Sequence, residues 1–206
     1  DDYDRPSRTY KDKKPVKKGI WTQWFANGQK KSEGRYKVGS FGYTTSSESN
    51  KDGIWTEWHI NGQIRTDTTY IDGKKEGNEI LWYSNGQIAR DYNYKNDKLD
   101  GSITLWYQNG QLDGKAIFTD GKQNGKSISW DENGQKKQST NWKDGKQFDG
   151  KQEYWHSNGK LAFVYYMKND KKHGKWNTWH ENGKKKQSGK YKDDELDGTW
   201  VEWDEN

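Results

Sequence analysis

GIWTEWHINGQ, residues 53–63, restates almost word for word the GIWTQWFANGQ of residues 19–29. A fixed internal period mis-read or overlooked changes the whole fold assignment, so the echo is followed first. Asn-Gly pairs recur at Asn27, Asn61, Asn85, Asn109, Asn133, Asn158 and Asn182. Eight residues before each of these Asn stands a Gly, at 19, 53, 77, 101, 125, 150 and 174, with an eighth at 198. Taking that Gly as position 0, position 5 is always Trp: Trp24, Trp58, Trp82, Trp106, Trp130, Trp155, Trp179 and Trp203. Position 17 is always large and apolar: Tyr36, Tyr70, Tyr94, Phe118, Trp142, Met167 and Tyr191. A second turn such as IDGKKEG or TDGKQNG then closes the unit and the cycle restarts. The chain is a tandem array of about eight units of 24 residues.

Each unit reads as a hairpin. Asn-Gly favours a type I′ turn, in which both central residues take positive φ. Short runs such as IWTEWH and QIRTDTTY flank it, and Asp-Gly-Lys turns join one hairpin to the next. No stretch carries a helical apolar period. The expected fold is all-β, an elongated, twisted, single-layer antiparallel meander of tandem hairpins. With strands about 4.8 Å apart, each repeat advances about 10 Å and equivalent residues stack in ladders.

Composition sharpens this picture. Only 27% of the 206 residues are hydrophobic, and Leu, Ile, Val and Phe together number 25. Mean hydropathy is -1.53. Such values are typical of disorder when net charge is high. Here 36 basic residues face 31 acidic ones for a net +5, while 13 Trp and 13 Tyr supply large buriable rings. The burial that exists is therefore aromatic. There is no Cys, so disulfides are excluded. No run reaches the roughly 18 apolar residues of a membrane span, nor is there a signal-peptide core. The compartment stays open, with an exported or surface setting favoured over the cytoplasm.

The irregularities fall at defined places. Residues 1–18 form a polar, Lys-rich segment or half-repeat, and residues 19–206 form the array. An insertion near 37–51 lengthens the first unit, and a longer turn at 145–149 adds one residue later. The opening at Asp1 implies removal of an upstream segment, and the stop at Asn206 implies an array cut in mid-repeat.

Position 2 behaves differently from position 5. It holds Trp21, Trp55, Trp176 and Trp200 near the ends, but Glu79, Ile103, Ser127 and Gln152 in the middle units. Three residues separate positions 2 and 5, so strand alternation puts them on opposite faces. The expectation is that positions 5 and 17 form the buried spine and that Trp21, Trp55, Trp176 and Trp200 are the surface contacts.

The pattern DG-x-W-x-x-W-x-x-NGQ…Y-x-DGK-x-x-G resembles the bacterial MORN-repeat variant, found in YwqK-like proteins labelled as antitoxins. The likeness covers residues 19–206. The resemblance implies an elongated single-layer sheet serving as scaffold or contact surface. The antitoxin label implies neutralising a toxin by binding it.

Residue chemistry points the same way. His59, His156 and His180 share position 6, and the last two lie in adjacent repeats about 10 Å apart, too wide for one zinc. Asp72, Asp120, Asp144 and Asp193 sit in turns without the nonapeptide spacing of calcium β-rolls, so they cap their own backbone. No nucleophile, metal or phosphate-loop motif is present, so neither catalysis nor a cofactor is expected. The Lys that follow the second turns, interleaved with aromatic rings, suit nucleic acid or anionic lipid less well, because each lies near an Asp or Glu. Exposed Trp of position 2 would suit stacking on sugar rings. The expected function is a non-enzymatic scaffold for a protein partner or self-association, the alternatives being a carbohydrate-binding module or an antitoxin.

Overall fold

A computed structural model of the protein describes residues 17–38 and 49–205. The polar segment 1–16, the middle of the insertion and Asn206 lie outside the described residues. Turn residues punctuate the chain too often for helix, and the described residues hold only strands and turns. The first three units are β1 (Gly19–Trp24) with β2 (Lys30–Val38), β3 (Ser49–Trp58) with β4 (Ile64–Ile71), and β5 (Lys74–Trp82) with β6 (Ile88–Lys95). The short β7 (Lys98–Leu99) precedes β8 (Gly101–Trp106) and β9 (Leu112–Thr119), and then come β10 (Lys122–Trp130) and β11 (Lys136–Lys143). After β12 (Lys146–Gln147) follow β13 (Gly150–Trp155) and β14 (Leu161–Lys168), and after β15 (Lys171–Lys172), β16 (Gly174–Trp179) and β17 (Lys185–Lys192). The last are β18 (Glu195–Leu196) and β19 (Val201–Glu202).

All belong to one 19-stranded antiparallel sheet with a meander order. The two-residue β7, β12, β15 and β18 pair with the strand before them, and β8, β13, β16 and β19 continue on the same edge of β6, β11, β14 and β17. The ends of the insertion extend the β2–β3 hairpin, pairing Lys37 with Asn50 and Val38 with Ser49. No described helix is long and apolar enough to cross a membrane.

The turns exchange the roles expected of them. At Asn61-Gly62 the His59 N–H donates to Gln63 O at 2.8 Å and the Gly62 N–H to His59 O at 2.9 Å. Gly62 has φ 86°, while Asn61 is not among the residues of positive φ. The loop is thus one residue longer than a type I′ hairpin, and only its Gly is left-handed. The extra residue appears as a register slip beside Trp58, where Trp58 pairs with Ile64 after Glu57 pairs with Thr66. The two-residue I′ signature lies at the linking turns instead: Asp72 (φ 48°) with Gly73 (86°), and Asn96 (50°) with Asp97 (65°). Asn and Asp tolerate this region better than other side chains, which explains their presence there.

The most deeply buried line runs through position 2 and its cross-strand partner, position 15. Trp55 and Trp176 are each 7% exposed, Glu79 7%, and Gln152 fully buried. Their neighbours match them in volume. Trp21 and Trp176 pair with Gly34 and Gly189, whereas Gln152 pairs with Tyr165 and Glu79 with Tyr92. Several polar members of the line are hydrogen-bonded, as buried groups usually are, although the Trp176 indole N–H has no partner among the described residues. Thr68 Oγ1 at 3.0 Å and Lys75 Nζ at 2.5 Å both donate to Glu79 Oε1. Gln152 Nε2 donates to Phe148 O at 2.8 Å while its Oε1 accepts from the Asn141 N–H at 3.0 Å. Gln152 thereby holds the enlarged turn of its unit in place.

Candidate interaction surface

The two faces of the sheet differ in kind. On the face carrying positions 2, 15 and 17, the rings are covered from above by Lys. Tyr36 lies edge-on to Trp55 with centroids 4.8 Å apart. Lys51 Nζ sits 4.5 Å from the Trp55 ring centroid and 4.7 Å from that of Tyr70. Lys17 bridges Trp21 and Tyr36 at 4.9 and 5.0 Å, and Lys172 bridges Tyr165 and Tyr191 at 5.5 and 5.3 Å. Such cation–ring contacts strengthen as they are desolvated. Burial holds the Lys51 amine below the ordinary Lys value, with the nearby Glu57 charge opposing. Burial, then the Glu79 charge and hydrogen bond, drive the Tyr94 hydroxyl far above the ordinary Tyr range. This face also carries the cluster Tyr154, Phe163 and Tyr165, with Tyr165 Oη donating to Gln147 Oε1 at 2.7 Å.

These facts correct the division of labour drawn from the sequence. Trp55 and Trp176 are core residues, so neither is a surface contact, and sugar stacking loses two of its four platforms. Trp21 and Trp200, in the outermost units, are exposed at 36% and 48%. In position 17, Tyr36, Tyr70, Tyr94, Phe118, Trp142, Met167 and Tyr191 are half-buried. The position-5 residues Trp58, Trp82, Trp106, Trp130, Trp155 and Trp179 are only half-buried, and Trp24 and Trp203 are exposed. A single-layer sheet has two candidate interiors, and alternation alone does not say which is deeper.

Alternation places position 5 on the opposite, open face with positions 1, 3, 11, 14 and 16. There the Trp stripe is flanked by the exposed Ile64 and Ile88 of position 11. Lys30 and Lys136 reach the Trp of the following repeat, 5.5 Å from Trp58 and 5.6 Å from Trp155. Ile20, 76% exposed, and Ile54, 65% exposed, stand out from position 1, joined by Ile117 and Tyr166 from position 16. Charge on this face shifts along the array. Position 14 holds Glu33, Asp67 and Asp91 in the first three units, Lys115 in the fourth, and Ser139, Val164 and Ser188 after it. Lys126, Lys151 and Lys175 stand at position 1 of the later units, Lys151 Nζ paired with Glu153 at 2.6 Å. Lys30 (2.8 Å) and Thr22 (2.9 Å) hold the Glu33 carboxyl below the usual carboxylate value.

At the Asn-Gly end, the repeats are tied by the side chains of position 6 and of the loop Asn. His59 Nε2 lies 2.9 Å from Trp82 O, and His156 and His180 repeat the contact to Trp179 O and Trp203 O. Tyr83 and Tyr107 do the same work, donating to Trp106 O and Trp130 O at 2.7 and 2.8 Å. Burial, then a hydrogen bond to Asp113, push the Tyr107 hydroxyl up to about 12. Six of the seven loop Asn also act twice, as at Asn61, whose Oδ1 accepts from the Gln63 N–H at 3.1 Å and whose Nδ2 donates to Ser84 O at 2.8 Å. The turn acids reach neighbouring turns rather than capping their own backbone: Asp97 Oδ1 accepts from the Lys75 N–H at 2.7 Å and Asp194 Oδ1 from the Lys172 N–H at 2.8 Å, while Asp120 pairs with Lys98 Nζ at 2.6 Å. The recurrence of His, Tyr and Asn at constant spacing was the available signal for these ties.

The pattern of the MORN repeat variant family matches residues 17–37, 51–72, 75–96, 123–144, 148–169 and 172–193. The β8–β9 hairpin falls between the matched segments yet keeps the same register, Gly101 opposite Phe118 and Trp106 opposite Leu112. No curated protein matches the chain.

Proposed function

The chain belongs to the MORN repeat variant family, and from that premise we propose that it is a non-catalytic scaffold whose open face takes up a protein surface. The observation that carries this reading is the pair of exposed Ile20 and Ile54 in adjacent repeats, with exposed Ile117 and Tyr166 further along the same face and a Trp in every repeat. Contiguous apolar exposure rimmed by charge is characteristic of interaction sites. Acidic Glu33, Asp67 and Asp91 toward one end of this face and Lys126, Lys175 and Lys190 toward the other favour a second copy laid antiparallel. An antitoxin that binds a toxin is the same reading with another occupant.

The test is photo-crosslinking from benzoylphenylalanine placed at Ile54 or Ile117, with Arg90 on the opposite face as the control. The adduct's mass separates a second copy from a different chain. Adducts from the open face alone support the proposal. Equal adducts from both faces, or none, overturn it.

A further inference from the structure

Eight Asn-Gly pairs occur in the chain, the seven of the hairpin loops and Asn124-Gly125. Asn-Gly is the dipeptide most open to succinimide formation, because Gly leaves the following backbone nitrogen unhindered. That reaction requires the Asn side chain to swing so that Cγ meets the next residue's nitrogen. In seven of the eight pairs the side chain is fixed at both ends. Asn27, Asn61, Asn85, Asn109, Asn158 and Asn182 accept on Oδ1 from the N–H two residues on, at 2.8–3.1 Å. Their Nδ2 groups donate to carbonyls of the next repeat: Ile60, Ser84, Gln108, Glu132, Glu181 and Glu205. Asn124 Oδ1 accepts from the Asp144 N–H, and its Nδ2 donates to Lys122 O.

Asn133 is the exception, and its neighbour supplies the reason. Position 6 of this unit is Asp131, where most other units carry His or Tyr. The Asp131 carboxylate takes over the turn, its Oδ1 accepting from the Asn133 and Gln135 N–H groups, both at 2.9 Å. The partner that every other hairpin Asn holds is thus already occupied. Asn133 is exposed, and its side-chain amide makes no hydrogen bond to any described residue.

We propose that Asn133 is the site of spontaneous deamidation in this array. The Gly134 nitrogen attacks Asn133 Cγ, the N–Cγ bond forms and the Cγ–Nδ2 bond breaks. The Gly134 proton passes to the departing amine, which leaves as ammonia. Water then opens the five-membered imide at Cγ to give Asp, or at the backbone carbonyl to give isoaspartate. No other reactant is consumed. The product places a carboxylate beside Asp131 and Glu132, and the isoaspartate form adds a methylene to the main chain of the loop. No tie to the next repeat is lost, so the fold survives the change.

The experiment incubates the purified, folded chain at mildly alkaline pH and follows all eight pairs by peptide mapping with isoaspartate detection. Two side-chain hydrogen bonds, each worth about a factor of five, must break at the other sites, so Asn133 reacts about twenty-five-fold faster than they do. Asp131→His returns the position-6 residue of the second, sixth and seventh units and frees the Gln135 N–H, and Asn133 then slows to the rate of the other sites. Equal rates across the pairs, another pair reacting first, or no slowing in Asp131→His overturns the proposal.

Discussion

Replacing Gly34 by Ala tests the volume matching of the buried line directly. Gly34 faces Trp21 across the β1–β2 hairpin, and Trp55 of the next unit lies over it. A Cβ at position 34 would fall inside van der Waals contact of the Trp55 indole, at Cγ, Cδ2 and Cε2. The backbone there is not left-handed, so the conflict is wholly steric. Trp55 cannot yield freely, because it is buried and its Nε1 donates to Arg35 O at 3.0 Å. Overpacking of this kind costs about 1–3 kcal/mol. Loss of the indole hydrogen bond adds about 1 kcal/mol, for a total of about 2–4 kcal/mol. Two other glycines grade the effect. At Gly189 the nearest atoms are Trp176 Nε1 at 2.7 Å and Cε2 at 3.1 Å, the rim of a ring, and about 1–2 kcal/mol follows. At Gly114 the nearest atom is Leu105 Cδ1 at 3.6 Å, so Ala fits there and stabilises by up to about 1 kcal/mol. Because repeats unfold semi-independently, the assay is urea unfolding read repeat by repeat through hydrogen exchange. Gly34→Ala as stable as the parent, or Gly114→Ala as damaging as Gly34→Ala, would refute the volume argument. A cycle with Trp55→Leu should recover most of the Gly34→Ala loss, since the colliding ring is gone.

Trp55→Ala is expected to cost about 3–5 kcal/mol and the half-buried Trp106→Ala roughly half that; denaturant midpoints in the opposite order would return the spine to position 5. His156→Phe keeps a ring but leaves Trp179 O without its partner at 2.8 Å, so about 1–2 kcal/mol should vanish, seen as faster exchange in β16. Unchanged exchange there would mean that the position-6 ties carry no energy. Tyr107 is pushed up to about 12, and Tyr94 and Tyr165 also rise. A raised folded value means stability fully present below the free tyrosine value near 10 and lost as pH climbs through the folded values. Tyrosinate absorbance during alkaline titration should therefore lag behind the unfolded chain; coincident curves would contradict the burial of these hydroxyls.

The hairpin array was legible because turn residues punctuate it at constant intervals, and a punctuated 24-residue period admits few structures. Turn type was not, because Asn-Gly suits both a two-residue loop and the longer loop found here. Residue pairs such as Asn96-Asp97 and Asn169-Asp170, holding the left-handed region together, were the clue that the tight turns lie elsewhere. Which Trp is buried was also hidden, since both columns alternate correctly. The signal lay across the strand rather than along it: Gly34 and Gly189 stand thirteen residues after Trp21 and Trp176. Two of the middle units that lack Trp carry a much larger partner, Tyr92 and Tyr165, whereas Ile103 faces Ala116 and Ser127 faces a Thr140 like the Thr68 beside Trp55. In those two units the first Trp is exchanged for bulk on the neighbouring strand.

That exchange explains how a chain of such low hydropathy folds at all. A globular core is a volume, and filling it demands many apolar residues. Here the core is a line one residue wide, and each unit need contribute only one buried pair to it. Beyond the strand pairing itself, cohesion between units comes from groups that donate to backbone carbonyls: the Asn amides, the position-6 rings, and linking-turn N–H groups such as that of Gly73, which donates to Lys51 O at 2.8 Å. Main-chain acceptors are present whatever the side chain, so these ties do not constrain position 2. Units can then diverge in what they bury while keeping one register, and the open face can vary its charge from Asp67 to the equivalent Lys115 without disturbing the fold. A sheet stabilised in this way has no need to cover its second face, and that spare face, with its Trp at every repeat, is what remains for a partner to use.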